Sequence, residues 1–174
     1  MHNLIKDKRF DFISDKDRQF MLAFDDEMKK LGYDFGNKIG SGYCWGKYMI
    51  IYTKSGVKSR KVVARIYIRD DSIVLRLFFS VIDKHRIYIE NTPSHIKEVF
   101  TGNYGNCNHC HNEKEGDCQF RKSYTINDRL IDKCNGRTFE FYNPDIHNMP
   151  DYIALFLEFY PTPKSKKNPS NLKV

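Results

Sequence analysis

The segment from Lys61 to Ile82 constrains the fold more than any other. Two apolar-rich runs, 61–69 and 72–82, are separated only by Asp70-Asp71. A two-residue turn between antiparallel strands fixes their pairing by arithmetic. Val62 then faces Phe79, Ala64 faces Leu77, Ile66 faces Leu75 and Ile68 faces Ile73. Every member of that face is apolar, so this register buries one side of the hairpin, and a slip of one residue would turn it to water.

The other side of the hairpin is less ordinary. In the same register Arg65 lies opposite Arg76, Tyr67 opposite Val74 and Val63 opposite Phe78. Like charges directly across a strand pair repel unless something sits between them. A carboxylate from a helix, such as Asp25, Asp26 or Glu27, would serve, and so would an anionic ligand. Arg65, Tyr67, Arg76 and Phe78 are therefore the candidate ligand-binding residues, a mixed cationic and aromatic floor that suits a phosphate-bearing ligand or a stacked base. The plainer reading is an internal salt bridge or a solvated face.

Around this hairpin the pattern predicts three helices and further strands. Ser14 with Asp17 resembles a helix N-cap, and Phe20, Met21, Phe24, Met28 and Leu31 recur at helical spacing up to Gly32, which gives a first helix over 15–31. A Gly-rich loop, 36–46, precedes a strand over Lys47 to Thr53. A short strand is expected at His85–Ile89. Thr92-Pro93 opens a middle helix carrying Ile96, Val99 and Phe100 and ending at Gly102. Strand-like residues 119–126, a turn at Asn127-Asp128 and a strand over 137–142 follow. Residues 149–159 form an amphipathic last helix, which Pro161 ends. The fold class is α+β: an antiparallel β-meander with N-terminal, middle and C-terminal helices packed on one face.

At 174 residues the chain is long enough for one domain with a real core. The expected organisation is a single domain over 1–160, which includes a Cys-rich loop at 103–118, and a disordered basic tail over 161–174. The net charge of +7 invites a nucleic-acid reading, but the last fourteen residues hold four lysines and no acid, more than half of the excess. No apolar run approaches the ~18 residues of a membrane span, and the start lacks the apolar core of a signal peptide. A cytoplasmic location follows as the expectation.

Three segments resemble a known group: Cys118-Gln-Phe-Arg-Lys-Ser-Tyr-Thr-Ile, Lys133-Cys134-Asn-Gly-Arg-Thr-Phe-Glu-Phe and Met149-Pro-Asp-Tyr-Ile. The chain is similar there to an uncharacterised family of small bacterial proteins with a helix–meander–helix plan. The resemblance covers 107–160 best. It implies a fold and a cysteine arrangement, and no activity.

Of five cysteines, Cys107, Cys110, Cys118 and Cys134 are spaced C-x2-C-x7-C-x15-C, and Cys44 stands apart. An odd count without a secretion signal argues against a disulfide framework. Zinc takes four N or S ligands in a tetrahedron, and a C-x2-C turn supplies two from one knuckle. Cys107, Cys110, Cys118 and Cys134 are thus the candidate metal ligands for a structural zinc, with His109 or His111 able to replace one cysteine. Free or merely buried thiols are the alternative. With the turn at Asn127-Asp128, Cys134 lies opposite Arg121, three residues from Cys118, so a bend must bring the two together. Cys107-Asn-His-Cys110-His111 also fits a haem-attachment pattern, but such haem is normally attached after export.

No catalytic residue is assigned. The Gly-rich loop with Val62-Val63-Ala64-Arg65 superficially resembles a kinase, yet no catalytic or metal loop of that family follows. His-Glu-x-x-His and Gly-x-Ser-x-Gly are absent, as is the zinc-deaminase pattern. The resulting expectation is a non-enzymatic binding or interaction module, taking a small anionic ligand or a protein partner. One alternative is nucleic-acid binding through the basic and aromatic face and the lysine tail. The other is an enzyme with an open metal position and a concave pocket of perturbed titratable groups.

Overall fold

The computed structural model describes residues 8–58, 61–102 and 120–162. Among them four α-helices and eight strands follow a short 3-10 turn at Lys8–Phe10. Helix α1 is Asp15–Lys30. The strands β1 (Tyr33–Asp34), β2 (Ile39–Ser41), β3 (Tyr48–Lys54), β4 (Ala64–Ile68) and β5 (Ile73–Phe78) come next. Helices α2 (Arg86–Glu90) and α3 (Ser94–Thr101) precede β6 (Lys122–Ile126), β7 (Arg129–Lys133) and β8 (Thr138–Tyr142), and α4 is Met149–Phe159.

The main sheet is antiparallel, in the order β1-β3-β4-β5-β8, with β2 sharing the β3 edge that β1 occupies. The β3-β4-β5 run is a meander, and β8 returns from far along the chain to lie beside β5. The arithmetic of the hairpin holds: Ala64 pairs with Leu77, Ile66 with Leu75 and Ile68 with Ile73. The Asp70-Asp71 turn is closed by Arg69 N–H donating to Ser72 O at 2.9 Å, one step beyond the Ile68–Ile73 pair. β6 and β7 form a separate two-stranded ribbon whose turn, Asn127-Asp128, has both residues at positive φ, 49° and 57°, the backbone a two-residue hairpin needs.

The helices cover one sheet face. Ile50, Tyr52, Ile66, Leu75, Leu77 and Phe139 face inward from the strands and are fully buried. Against them pack Phe20, Phe24 and Met28 of α1, Ile96 and Phe100 of α3, and Leu155 and Phe156 of α4. Helix α1 starts where the sequence places it: Ser14 Oγ accepts the Asp17 N–H at 3.1 Å, worth about 1 kcal/mol. Gly32, at φ +80°, takes the left-handed turn that ends it.

Two expectations need correcting. His85–Ile89 is not a strand: Arg86–Glu90 is helical, and an Arg86–Glu90 ion pair of 2.7 Å spans its single turn. Ile87 and Ile89 alternate as in a strand, but Ile89 is buried while Ile87 is 77% exposed, and so short a run cannot separate the two periods. The Gly-rich loop is also more than a connection, since it contains β2 and a 3-10 turn at Tyr43–Trp45. Cys107, Cys110, Cys118, His109, His111 and all but the first two residues of the 161–174 tail lie outside the described residues. Among the described residues no helix is long and apolar enough to cross a membrane.

Candidate functional site: the arginine face of the sheet

Strand alternation sends Arg65, Tyr67, Arg76 and Phe78 to the face away from the helices. Arg65 pairs directly with Arg76 and Tyr67 with Val74. Both guanidinium groups donate to one phenol oxygen: Arg65 Nη1 reaches Tyr67 Oη at 3.0 Å and Arg76 Nη1 at 3.1 Å. The Arg65 guanidinium carbon also stands 5.2 Å from the Phe78 ring centroid. The four sequence-predicted residues are therefore one contiguous cluster.

No carboxylate sits between the arginines, and the one that pairs with Arg76 is not the one expected. Asp25 is buried on the opposite face, bound by Lys29 Nζ at 2.6 Å and receiving the Tyr52 hydroxyl at 3.4 Å; no ion pair joins Asp26 or Glu27 to either arginine among the described residues. The partner is Glu140 of β8, whose Oε1 lies 2.8 Å from Arg76 Nε, with the two side chains 6% and 5% exposed. β8 is the neighbour of β5, and Glu140 is the residue directly across from Arg76. Arg65 has no such partner: among the described residues no carboxylate forms an ion pair with it, and its buried Nε makes no hydrogen bond. Arg76 Nη2 is likewise buried without a hydrogen bond.

Trp45, the chain's one tryptophan, caps this cluster. Its ring centroid is 3.8 Å from the Arg76 guanidinium carbon and 5.8 Å from the Tyr67 ring. The turn that carries it is compressed between two glycines. A Cβ on Gly42 would fall 2.3 Å from Gly46 O, and one on Gly46 would fall 2.5 Å from Ile68 O. Tyr43 on the same turn has φ +52° and is 80% exposed.

Lys133, at the end of β7, adds a third cation near Glu140. It is 3% exposed, donates to Val99 O at 3.0 Å and lies over the Phe139 ring at 4.5 Å. Burial lowers its pKa to about 8; Glu140 opposes that shift and Arg76 adds to it. Trp45, Glu140 and Lys133 were not legible as site residues. Glu140 sits on an alternating strand with a clear buried pattern, but the sequence does not say which strand β8 joins.

Cys134 is buried just past β7. Asn135 follows at φ +54°, and Gly136 N–H then donates to Phe120 O at 3.1 Å. The chain therefore bends just after Cys134; Cys118 lies outside the described residues. Cys44 is exposed. Among the described residues no group of three or more His, Cys, Asp or Glu is placed to hold a metal ion.

A cavity of about 260 Å³ lies between β8, α3 and α4, lined by His95, Glu98, Glu140, Asp145 and Tyr152 among others. Asp145 has its carboxyl pKa lowered by the His147 N–H and by Lys16, which is capping of the turn that leads into α4. No family model, no curated protein and no solved structure matches the chain. The resemblance to a bacterial family thus rests on the three sequence segments alone.

Proposed function

We propose that this protein is a non-enzymatic binding module for a small anionic ligand, taken at Arg65 beside Arg76, Tyr67 and Phe78. One observation carries the reading: of two cross-strand guanidinium groups, only one has a carboxylate partner. Glu140 neutralises Arg76, and Arg65 keeps a buried Nε with neither hydrogen bond nor ion pair. An unmatched cation held partly out of water raises the free energy of the protein and is stabilised by an incoming anion. Trp45 and Phe78 flank the two arginines, so an anion attached to a planar ring gains stacking as well.

The test uses inorganic phosphate and adenosine monophosphate as probes and Trp45 emission as the signal. A saturable change in emission is expected for the wild-type chain and not for Arg65→Gln. Arg65→Leu is expected to be at least as stable as wild type, because a residue kept for binding rather than folding is dispensable to the fold. A destabilised Arg65→Leu variant, with wild-type emission indifferent to both probes, overturns the reading.

The second part of the proposal is a structural zinc held by Cys107, Cys110, Cys118 and Cys134. The donor set suits zinc, and four thiolates leave no open position for catalysis. The hydrogen bond between Gly136 and Phe120 supports it, because Cys118 stands two residues before Phe120 and two residues of chain span at most about 7 Å. The metal would tie a long polar loop to the ribbon. Elemental analysis of protein purified without a histidine tag tests it: about one zinc per chain is expected, and thermal stability should fall on chelation.

A further inference from the structure

We infer a second anion site, for the phosphate group of a phosphate monoester, in the cavity between the end of β5 and the β6-β7 ribbon. It is independent of the Arg65 reading. The cavity has a volume of about 210 Å³, and its walls include Ser80, Val81, Lys122, Ser123, Gly136 and Arg137.

The first argument is charge. Lys122 and Arg137 line the same cavity, and among the described residues neither forms an ion pair. Asp83 also borders the cavity, but its Oδ1 accepts the Thr125 N–H at 2.9 Å, and it lies beyond ion-pair distance of both cations. With Asp83 the one acid among the described walls, and held by a backbone N–H rather than by either cation, the cavity keeps an excess of positive charge that a phosphate offsets.

The second argument is how closely the fold packs the two segments that carry the cations. A Cβ on Gly136 would lie 2.6 Å from Lys122 Cβ. Only glycine lets the start of β6 approach the residue that immediately precedes Arg137. The hydroxyl groups of Ser80 and Ser123 stand on the same walls and supply neutral donors that suit phosphate oxygens.

The third argument is strain. Val81, in the wall, adopts φ +60° and ψ +48°. A β-branched residue in the left-handed region is a backbone outlier, and such outliers gather at sites where the surrounding structure over-determines them for use. Val81 is also 57% exposed, so no burial of its side chain accounts for the conformation.

The experiment is a titration of the full chain with inorganic phosphate, followed by amide and indole NMR signals at low ionic strength. Saturable shifts are expected at the amides of Ser80, Ser123 and Gly136. In a Lys122→Gln/Arg137→Gln variant the apparent affinity at those amides should fall at least about tenfold, while the response of the Trp45 indole persists. In Arg65→Gln the pattern should reverse, which separates failure of this site from failure of the other. Lys122→Arg/Arg137→Lys, which keeps both charges, should retain binding and controls for folding. Amides around the cavity that do not move, or that move equally in the double Gln variant, overturn the inference.

Discussion

Glu140 Oε1 sits 2.8 Å from Arg76 Nε, in a pair whose side chains are about one-twentieth exposed. The two residues are direct cross-strand partners on β8 and β5, so the pair joins the meander to the strand that returns from sixty residues away. The same carboxylate also acts on the buried Lys133 ammonium. Removing it leaves two buried cations, Arg76 and Lys133, without that anion.

Glu140→Gln should therefore destabilise the protein by about 3–5 kcal/mol, the usual cost of leaving one partner of a buried pair uncompensated. The double variant Arg76→Met/Glu140→Leu should recover most of that loss, since apolar replacement of a whole buried pair is often neutral. Urea unfolding of the three proteins measures both effects. A Glu140→Gln variant as stable as wild type would show that Arg76 is neutralised by something else.

The hairpin and its two faces were legible in the sequence because a two-residue turn ties register to chain position. Arg65 facing Arg76 follows from Asp70-Asp71 alone, and the structure places them so. Glu140 was not legible as the partner, because local pattern identifies a strand and not its neighbour in the sheet. Asp25 looked suitable on its helix, yet its face of α1 packs on the opposite side of the sheet, where Lys29 and Tyr52 hold it. Trp45 was hidden for another reason: it lies in a Gly-rich loop whose compact form depends on backbone contacts with Gly46 and Ile68.

Those contacts give a steric prediction. Gly46 has φ 170°, extended backbone open to any residue, so an added methyl costs only what its collision with Ile68 O at 2.5 Å costs. Gly46→Ala should lose about 1–3 kcal/mol, as overpacked sites do, and should shift Trp45 emission to the red as the ring leaves Arg76. Gly40→Ala is the control, since its nearest atom, Met49 O, is 3.9 Å away. Equal stability and emission for both variants would mean that the Trp45 turn is not held by these contacts.

Alkaline pH should act through buried phenols. Burial pushes the Tyr160 hydroxyl up to about 12, with Tyr33 adding to the shift. Tyr52 is raised well above its ordinary value by burial and then by Asp25, and Tyr124 is raised by burial. Each folded pKa lies above the unfolded value of about 10. The stabilisation is thus fully present below pH ~10 and is lost as pH rises through the folded values. Phenolate absorbance should show these three of eleven tyrosines ionising last, together with unfolding. Tyr160→Phe should remove one late-titrating group and flatten the fall in stability between about pH 10 and 12. Full ionisation of all tyrosines before any loss of secondary structure would contradict this.

Thiol reactivity separates the zinc proposal from simple burial. Cys44 is exposed on the Tyr43–Trp45 turn, so a thiol reagent should modify it rapidly in the native protein. Cys134 is 6% exposed, and burial alone would keep it slow with or without a chelator. If zinc holds Cys107, Cys110, Cys118 and Cys134, the untreated protein should show one fast thiol, and chelation should release four more without denaturant. Cys44→Ser should abolish the fast phase and leave the chelator-dependent one intact. Four or five fast thiols in untreated protein would exclude a metal at these residues, whereas one fast thiol and no response to chelator would leave Cys134 as a buried side chain of the ribbon.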